Sequence, residues 1–283
     1  MTSRYLRPTD LQPALEALAA GGLTVAAGCT DLFPATERKH LAGDILDITA
    51  VTGLRGIARR DGDLIIGAAT TWSDIARAEL PAALDGLKLA SREVGALQIQ
   101  NRGTIAGNLC NASPAADGVP PLLTLDARVV LRSVRGAREL PLTDFLTGPR
   151  QTARAPDELL TAVRLPQAGL AGRGHFLKLG ARKYLVISIA MGAARIELSQ
   201  GRIARAALAI GACGPVAIRL AAVEQALIGQ TPAEAAASAP DLAGMLAPID
   251  DIRADAPYRA RAAAELVRRL IHGFDAGAQD RAA

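Results

Sequence analysis

Aromatic residues are scarce: one Trp, three Tyr and four Phe make up 3% of the 283 residues. That scarcity argues against base stacking or an aromatic cage as the basis of function. Cysteine is scarcer still. Cys29, Cys110 and Cys213 lie far apart and form no C-x-x-C pair. A structural zinc, or an iron–sulfur cluster held by this chain alone, is therefore not expected, and the odd count argues against a disulfide framework. The histidines, His40, His175 and His272, are isolated and sit in no motif, so no acid–base constellation presents itself. No apolar run reaches membrane-spanning length, and Met1 to Arg7 lacks the apolar core of a secretion signal. The expectation is a reduced, soluble, cytoplasmic protein with no direct membrane insertion.

The apolar half of the composition comes mainly from Ala, Leu, Val and Ile, and mean hydropathy is +0.20, as for helices packed on sheets in a folded protein. The net charge of +4 is spread thinly. Only Arg59-Arg60 and Arg268-Arg269 are adjacent arginines, and acidic residues lie among the basic ones, so no nucleic-acid partner is expected.

Thr9-Asp10-Leu11-Gln12 reads as a capping box opening a helix whose Leu11, Ala14, Leu15 and Leu18 face a core. Gly21-Gly22 ends it, and Leu23 to Ala27 follows as a buried strand leading into Gly28-Cys29-Thr30-Asp31. A larger unit follows. Strands are predicted at Asp44 to Ile48, Asp63 to Gly67, Ala127 to Ser133 and Glu158 to Leu165, with helices at Ser73 to Leu80 and Pro81 to Val94. Residues 98 to 121 show little periodicity and read as a long irregular segment, which inside a compact domain implies a functional reason. The Gly-rich stretch Gln167 to Gly174 marks a boundary. Beyond it, strands are predicted at His175 to Leu179, Leu185 to Leu198 and Arg202 to Ile210, and helices at Ile218 to Ile228 and Tyr258 to Leu270. Thr231 to Pro240 is helix or linker.

Two segments carry chemistry. A dinucleotide pyrophosphate can be held by backbone N–H groups where glycines allow close approach and small hydroxyl residues add donors. Gly28-Cys29-Thr30-Asp31 after a strand fits, though such turns are common. Asn101 to Asp117 is more specific: Thr104, Asn108 and Ser113 supply polar side chains, Gly103, Gly107 and the alanines allow approach, and Asp117 offers an acceptor for a hydroxyl. A G-x-G-x-x-G fingerprint is missing, which excludes a Rossmann site.

Ala27-Gly28-Cys29-Thr30-Asp31-Leu32, Arg102-Gly103-Thr104-Ile105-Ala106-Gly107-Asn108 and Ser113-Pro114-Ala115-Ala116-Asp117 together resemble the FAD-binding, or medium, subunit of the molybdenum hydroxylases, the xanthine dehydrogenase and carbon monoxide dehydrogenase family. The resemblance covers essentially the whole chain. It implies an α+β fold: a two-part FAD-binding domain over 1–168 (a small α/β unit, about 1–53, plus a larger mixed α+β unit, about 54–168), then a C-terminal domain of antiparallel sheet with helices over 169–283. It implies that Ala26, Ala27, Gly28, Cys29, Thr30, Asp31 and Leu32 wrap the FAD pyrophosphate. Thr104, Ala106, Gly107 and Asn108 would bind phosphate and ribityl groups, with Ser113, Ala116 and Asp117 adding contacts. Leu160, within Pro156 to Leu160, would pack on the adenine or flavin side, and Lys178 would lie close to the flavin. No residue is expected to be catalytic and no metal is expected in this chain.

The resemblance further implies a hetero-oligomer, a dimer of heterotrimers with a large molybdenum-cofactor subunit and a small 2Fe-2S subunit. Electrons would pass through FAD to NAD, a quinone, a cytochrome or oxygen. A self-contained flavin oxidase and a cofactor-free scaffold are the competing readings. Two positions depart from the family, which usually has glycine at Cys29 and Ala106. If either needs positive φ, a β-carbon there costs roughly 1 kcal/mol.

Overall fold

A computed structural model describes residues 4–37, 41–238, 242 and 244–275. His40 and the last residues of the Thr231 to Pro240 stretch lie outside these. The chain opens with β1 (Tyr5–Leu6), α1 (Leu11–Ala19), β2 (Leu23–Ala26) and β3 (Asp44–Asp47). The strands form a small parallel sheet in the order β1-β3-β2. Helix α1 buries Ala14, Leu15 and Leu18 and ends where Gly21 and Gly22 take positive φ. The predicted capping box does not form. The helix starts one residue later, with Asp10 at the N-cap and no side-chain cap bond, while Thr9 donates to Asp10 at 2.9 Å. With Asp10 as cap, the third helical position is Pro13, which has no N–H to give.

The larger unit runs through β4 (Ile57–Arg60), β5 (Asp63–Gly67), α2 (Trp72–Arg77), α3 (Asp85–Glu93), α4 (Leu97–Arg102), α5 (Ile105–Asn111), α6 (Val119–Thr124), β6 (Arg128–Ser133), β7 (Gly136–Pro141), α7 (Leu142–Phe145), β8 (Leu146–Gly148), β9 (Gln151–Thr152) and β10 (Leu159–Leu165). Its antiparallel sheet has the order β4-β5-β10-β6-β7. The helices cover that sheet around Trp72, Ile75, Leu84, Leu87, Ile105, Leu109 and Phe145, which are almost wholly buried. The stretch read as irregular, 98 to 121, is in fact largely helical, in α4, α5 and α6. Each is six or seven residues long, under two turns, so apolar periodicity has no room to appear.

The C-terminal part contains β11 (Arg173–Leu179), β12 (Ala190–Ser199), β13 (Arg202–Gly211), β14 (Ile218–Arg219), α8 (Ala221–Leu227), α9 (Pro232–Ala237) and α10 (Ala256–His272). Its sheet is antiparallel in the order β11-β12-β13-β14, backed by α8, α9 and α10 through Leu208, Ile210, Val267 and Leu270. The predicted strand from Leu185 begins only at Ala190, because Leu185 adopts a φ of +54° and turns the chain. Ile218 and Arg219 add an edge strand rather than starting the next helix. The fold is thus α+β, ending in a helix-backed antiparallel sheet.

The two parts are closely joined. Strand β11 lies against α3, where a β-carbon on Gly86 would stand 2.9 Å from the carbonyl oxygen of His175 and one on Gly174 2.3 Å from that of Ala83. Arg195, buried, donates to the carbonyl of Thr124 at 2.7 Å and to that of Ala171 at 3.2 Å.

Candidate functional site

A cavity of about 1020 Å³ opens where the small unit, the α4–α6 segment and the C-terminal sheet meet. That is at the upper end of the size range of small-molecule sites. Every site residue singled out from the sequence lines it except Ala26. Ala26 is buried in β2, and its carbonyl accepts from Ile48 at 3.0 Å.

The first wall is the turn after β2. Gly28 is there because of close approach: a β-carbon would stand 2.0 Å from the carbonyl oxygen of Arg102. Cys29 has a φ of +60°, so one of the two family departures does fall at a left-handed position. Its thiol is pushed above the ordinary range by burial and by the charge of Asp47. It donates a weak bond to the carbonyl of Ala27 at 3.5 Å. Among the described residues, the amides of Gly28, Cys29, Thr30, Asp31 and Leu32 donate to no backbone carbonyl. The five residues that carry these unpaired amides all line the cavity.

The second wall is α5, and its amides are already engaged. Thr104 caps the helix, its Oγ1 accepting from the amide of Gly107 at 3.1 Å. The amide of Ile105 donates to Thr70 at 3.0 Å and that of Ala106 to Ala68 at 3.2 Å. A β-carbon on Gly107 would crowd the capping Thr104 Oγ1 at 2.9 Å, while the space beyond it on the cavity side is open. Ala106, the other departure, sits inside the helix, and its β-carbon causes no backbone strain. Asn108 differs from its neighbours. Its Oδ1 is buried and has no hydrogen-bond partner among the described residues, an orphaned group of the kind a bound ligand satisfies.

At the C-terminal end of the same segment, Ser113 closes a small turn by accepting from the amide of Ala115 at 3.3 Å. Asp117 is buried and carries a network. Lys178 of β11 donates to its Oδ2 at 2.7 Å, and Ser188 donates to its Oδ1 at 2.6 Å. Both ends of the ion pair are buried, with side chains 6% and 8% exposed for Lys178 and Asp117. Burial pushes the Asp117 carboxyl above the usual range, against the pull of Lys178 and Ser188. Asp117 is therefore not a bare acceptor, as the sequence suggested. It is held by the C-terminal part, with remaining lone pairs for a further donor.

In the stretch from Pro156 to Leu160, the two acids serve the protein. Asp157 pairs with Arg135, and Glu158 binds Arg138 at 2.6 and 2.7 Å, which holds its carboxyl below the usual range. Leu160 is buried and lines the cavity.

Sequence reasoning missed several lining residues, notably Cys110, Asn111, Arg150 and Arg154. Arg150 donates to Asn111, and Arg154 donates to the carbonyl of Glu158 at 2.7 Å. Cys110 opens onto the cavity yet is hemmed in by protein, and burial pushes its thiol up to about 11. Only the position of Cys110, three residues after Gly107 and so one turn along the same face, could have marked it. His175 stands elsewhere, edge-on to Phe274, with its pKa lowered by burial and by Arg173. Among the described residues no group of His, Cys, Asp and Glu could hold a metal ion, and no helix is long and apolar enough to cross a membrane.

Two family models together match most of the chain. Residues 1–168 match the family described as the FAD binding domain in molybdopterin dehydrogenase, and residues 175–274 match the CO dehydrogenase flavoprotein C-terminal domain. The nicotinate dehydrogenase FAD-subunit of Eubacterium barkeri is 34% identical over 72% of this chain and 71% of its own. Subunit alpha of the 6-hydroxypseudooxynicotine dehydrogenase complex of Paenarthrobacter nicotinovorans is 31% identical over 94% and 92%. Among solved structures, a carbon monoxide dehydrogenase chain from Hydrogenophaga pseudoflava superposes with a TM-score of 0.85 at 27% identity, covering 95% of this chain and 96% of that one.

Proposed function

Because the chain belongs to the FAD-binding flavoprotein subunits of the xanthine and carbon monoxide dehydrogenase type of molybdenum hydroxylase, we propose that it is the electron relay of a hetero-oligomeric complex. In this reading it takes electrons from 2Fe-2S clusters of a small subunit. The organic substrate is oxidised in a large molybdenum-cofactor subunit. The electrons leave to NAD, a quinone, a cytochrome or oxygen, and the assembly is a dimer of heterotrimers in the cytoplasm. The division of labour within the chain is 1–168 for cofactor binding and 169–283 for closing the site.

The observation that carries the reading is the pairing of open amides at Gly28 to Leu32 with the orphaned Oδ1 of Asn108 across one cavity of sufficient volume. A dinucleotide fits this combination: backbone N–H groups suit a pyrophosphate, and the Asn108 Oδ1 can accept from a hydroxyl or a ring N–H. Bound FAD would supply exchange between one-electron and two-electron carriers. The turn from Ala27 to Leu32 would hold the pyrophosphate. Thr104 and Gly107 would shape the helix end against it, with Ala106 and Ala116 giving close contact. Asn108 and Ser113 would contact ribityl and phosphate oxygens. Leu160 would pack on the adenine or flavin side. Lys178, fixed by Asp117, would place a positive charge beside the flavin ring, where negative charge on reduction is stabilised.

The test is direct. Purify the chain, record its visible spectrum and identify the nucleotide released on denaturation. Stoichiometric FAD, with acceptor reduction only after the partner subunits are added, is the expected outcome. A colourless protein that FAD cannot reconstitute would refute the reading.

A further inference from the structure

Arg259 is the most deeply buried cation described outside the cavity, its side chain 3% exposed on α10. Its Nη1 donates to the carbonyl of Ile189 at 2.6 Å and to that of Ala212 at 3.2 Å, and its Nη2 to Oδ1 of Asp251 at 2.6 Å. Its Nε has no partner among the described residues. A buried guanidinium with one nitrogen unsatisfied costs stability, so the geometry it enforces is the point of interest.

The two carbonyls it holds lead to the same place. Ile189 follows Ser188, whose hydroxyl donates to Asp117 at 2.6 Å. Ala212, itself at a φ of +61°, donates its amide to the carbonyl of Pro114 at 3.0 Å. Pro114 and Asp117 belong to one turn, closed by the bond from the amide of Ala116 to the carbonyl of Ser113 at 3.0 Å. The guanidinium therefore ties down both ends of the turn that presents Asp117 to the cavity. Through Asp117 it reaches Lys178.

We propose that Arg259, which contacts no cavity residue's side chain itself, is the positioning residue for the Asp117–Lys178 pair in the cofactor cavity. Arg259 fixes where the carboxylate stands and hence where the ammonium is held. Lysine cannot replace it, because one ammonium on a flexible stem does not span Ile189, Ala212 and Asp251 with the geometry of a planar fork. Asp251, the sole carboxylate bonded to this guanidinium among the described residues, lies between the exposed Ile249 and Ile252.

The effect on FAD rests on the cofactor reading above, so the experiment has two arms. In the first, FAD is titrated into the apo forms of the wild-type chain, R259K, D117N and the double variant, with flavin fluorescence and visible circular dichroism recorded. R259K is expected to weaken FAD binding about tenfold and to alter the bound-flavin dichroism in the same sense as D117N. The double variant is expected to be little worse than D117N alone. In the second arm, amide hydrogen exchange is followed in the FAD-free chain. Exchange over residues 113–117 should quicken in R259K while that of β4 to β7 stays unchanged. A lower Tm with unchanged FAD affinity and dichroism, full additivity of the two substitutions, or unchanged exchange over 113–117 would each overturn the proposal. Should R259K fail to fold, D251N, which leaves the guanidinium in place without its counter-ion, is read in the same way. If the wild-type chain takes up no FAD, the cofactor reading falls and the exchange arm still decides the role of Arg259.

Discussion

The two walls of the cavity look alike in sequence and differ in what their backbones do. Both are short runs of glycine, alanine and small polar residues. In the turn from Gly28 to Leu32 the amides find no backbone carbonyl among the described residues. In α5 the first amides are spent on Thr70, Ala68 and the Thr104 hydroxyl. A helix N-terminus is a ready anion site only while its first N–H groups are free. Around this cavity the turn carries the unpaired amides, and the helix contributes shape and one orphaned amide side chain. The less specific motif thus holds the more open donors.

The largest effect is expected at Gly28. Gly28→Val should abolish FAD retention and destabilise the fold by about 3 kcal/mol or more, because its side chain meets the Arg102 carbonyl. Released nucleotide and thermal unfolding would show it, and normal stoichiometry would end the account of this wall. Gly107→Leu should also abolish FAD retention, by filling the space over α5, with a smaller loss of stability. Retention would mean that the helix face is not against the cofactor.

Asp117→Ala should weaken FAD binding by about 1–3 kcal/mol and leave Lys178 buried without its partner. An affinity equal to wild type would place Asp117 outside the site. Thr104→Ala sharpens the distinction between the walls. If the hydroxyl serves the helix, stability falls by about 1 kcal/mol while titration shows FAD affinity nearly unchanged. Cys29→Gly should act in the opposite direction. Relief of the left-handed β-carbon should raise stability by about 1 kcal/mol, seen as a higher Tm, with FAD still bound.

Acid should act through the carboxylates held below their ordinary range. Glu158 is one, drawn down chiefly by its bonds to Arg138. Its folded pKa is lower than its unfolded one, so its contribution is present above the unfolded pKa and is lost as pH falls through the folded value. Arg138→Ala should therefore flatten the acid limb of stability measured against pH, and an unchanged limb would exclude the pair as its cause.

Much of the architecture was legible from local signals. The apolar runs at Asp63 to Gly67 and Glu158 to Leu165 became interior strands of the larger sheet, and Gly21-Gly22 did end α1. The errors have local causes too. Helix α1 starts at Leu11 and leaves Thr9 outside the cap position, α4 to α6 are too short to show a period, and the left-handed Leu185 delayed β12. For the candidate site, glycine and small polar residues marked the segments that line the cavity, because a crowded backbone needs them at any approach. Arg150, Arg154 and Cys110 gave no such signal, since charged and thiol residues are usual on surfaces and in cores alike.

What the sequence determined by itself was which stretches must be extended, helical or closely approached. Those follow from side-chain period, proline's missing N–H and the steric limits of a β-carbon. The family resemblance too was carried by the local motifs from Ala27 to Leu32 and from Arg102 to Asp117. How donors are shared out depends on the folded arrangement. Whether an amide at Gly28 or at Ala106 is open depends on which carbonyl lies opposite, and whether Asp117 is free depends on Lys178 and Ser188 more than 60 residues away. Hydrogen-bond partners are assigned by folding in space, and a linear chain carries no record of them.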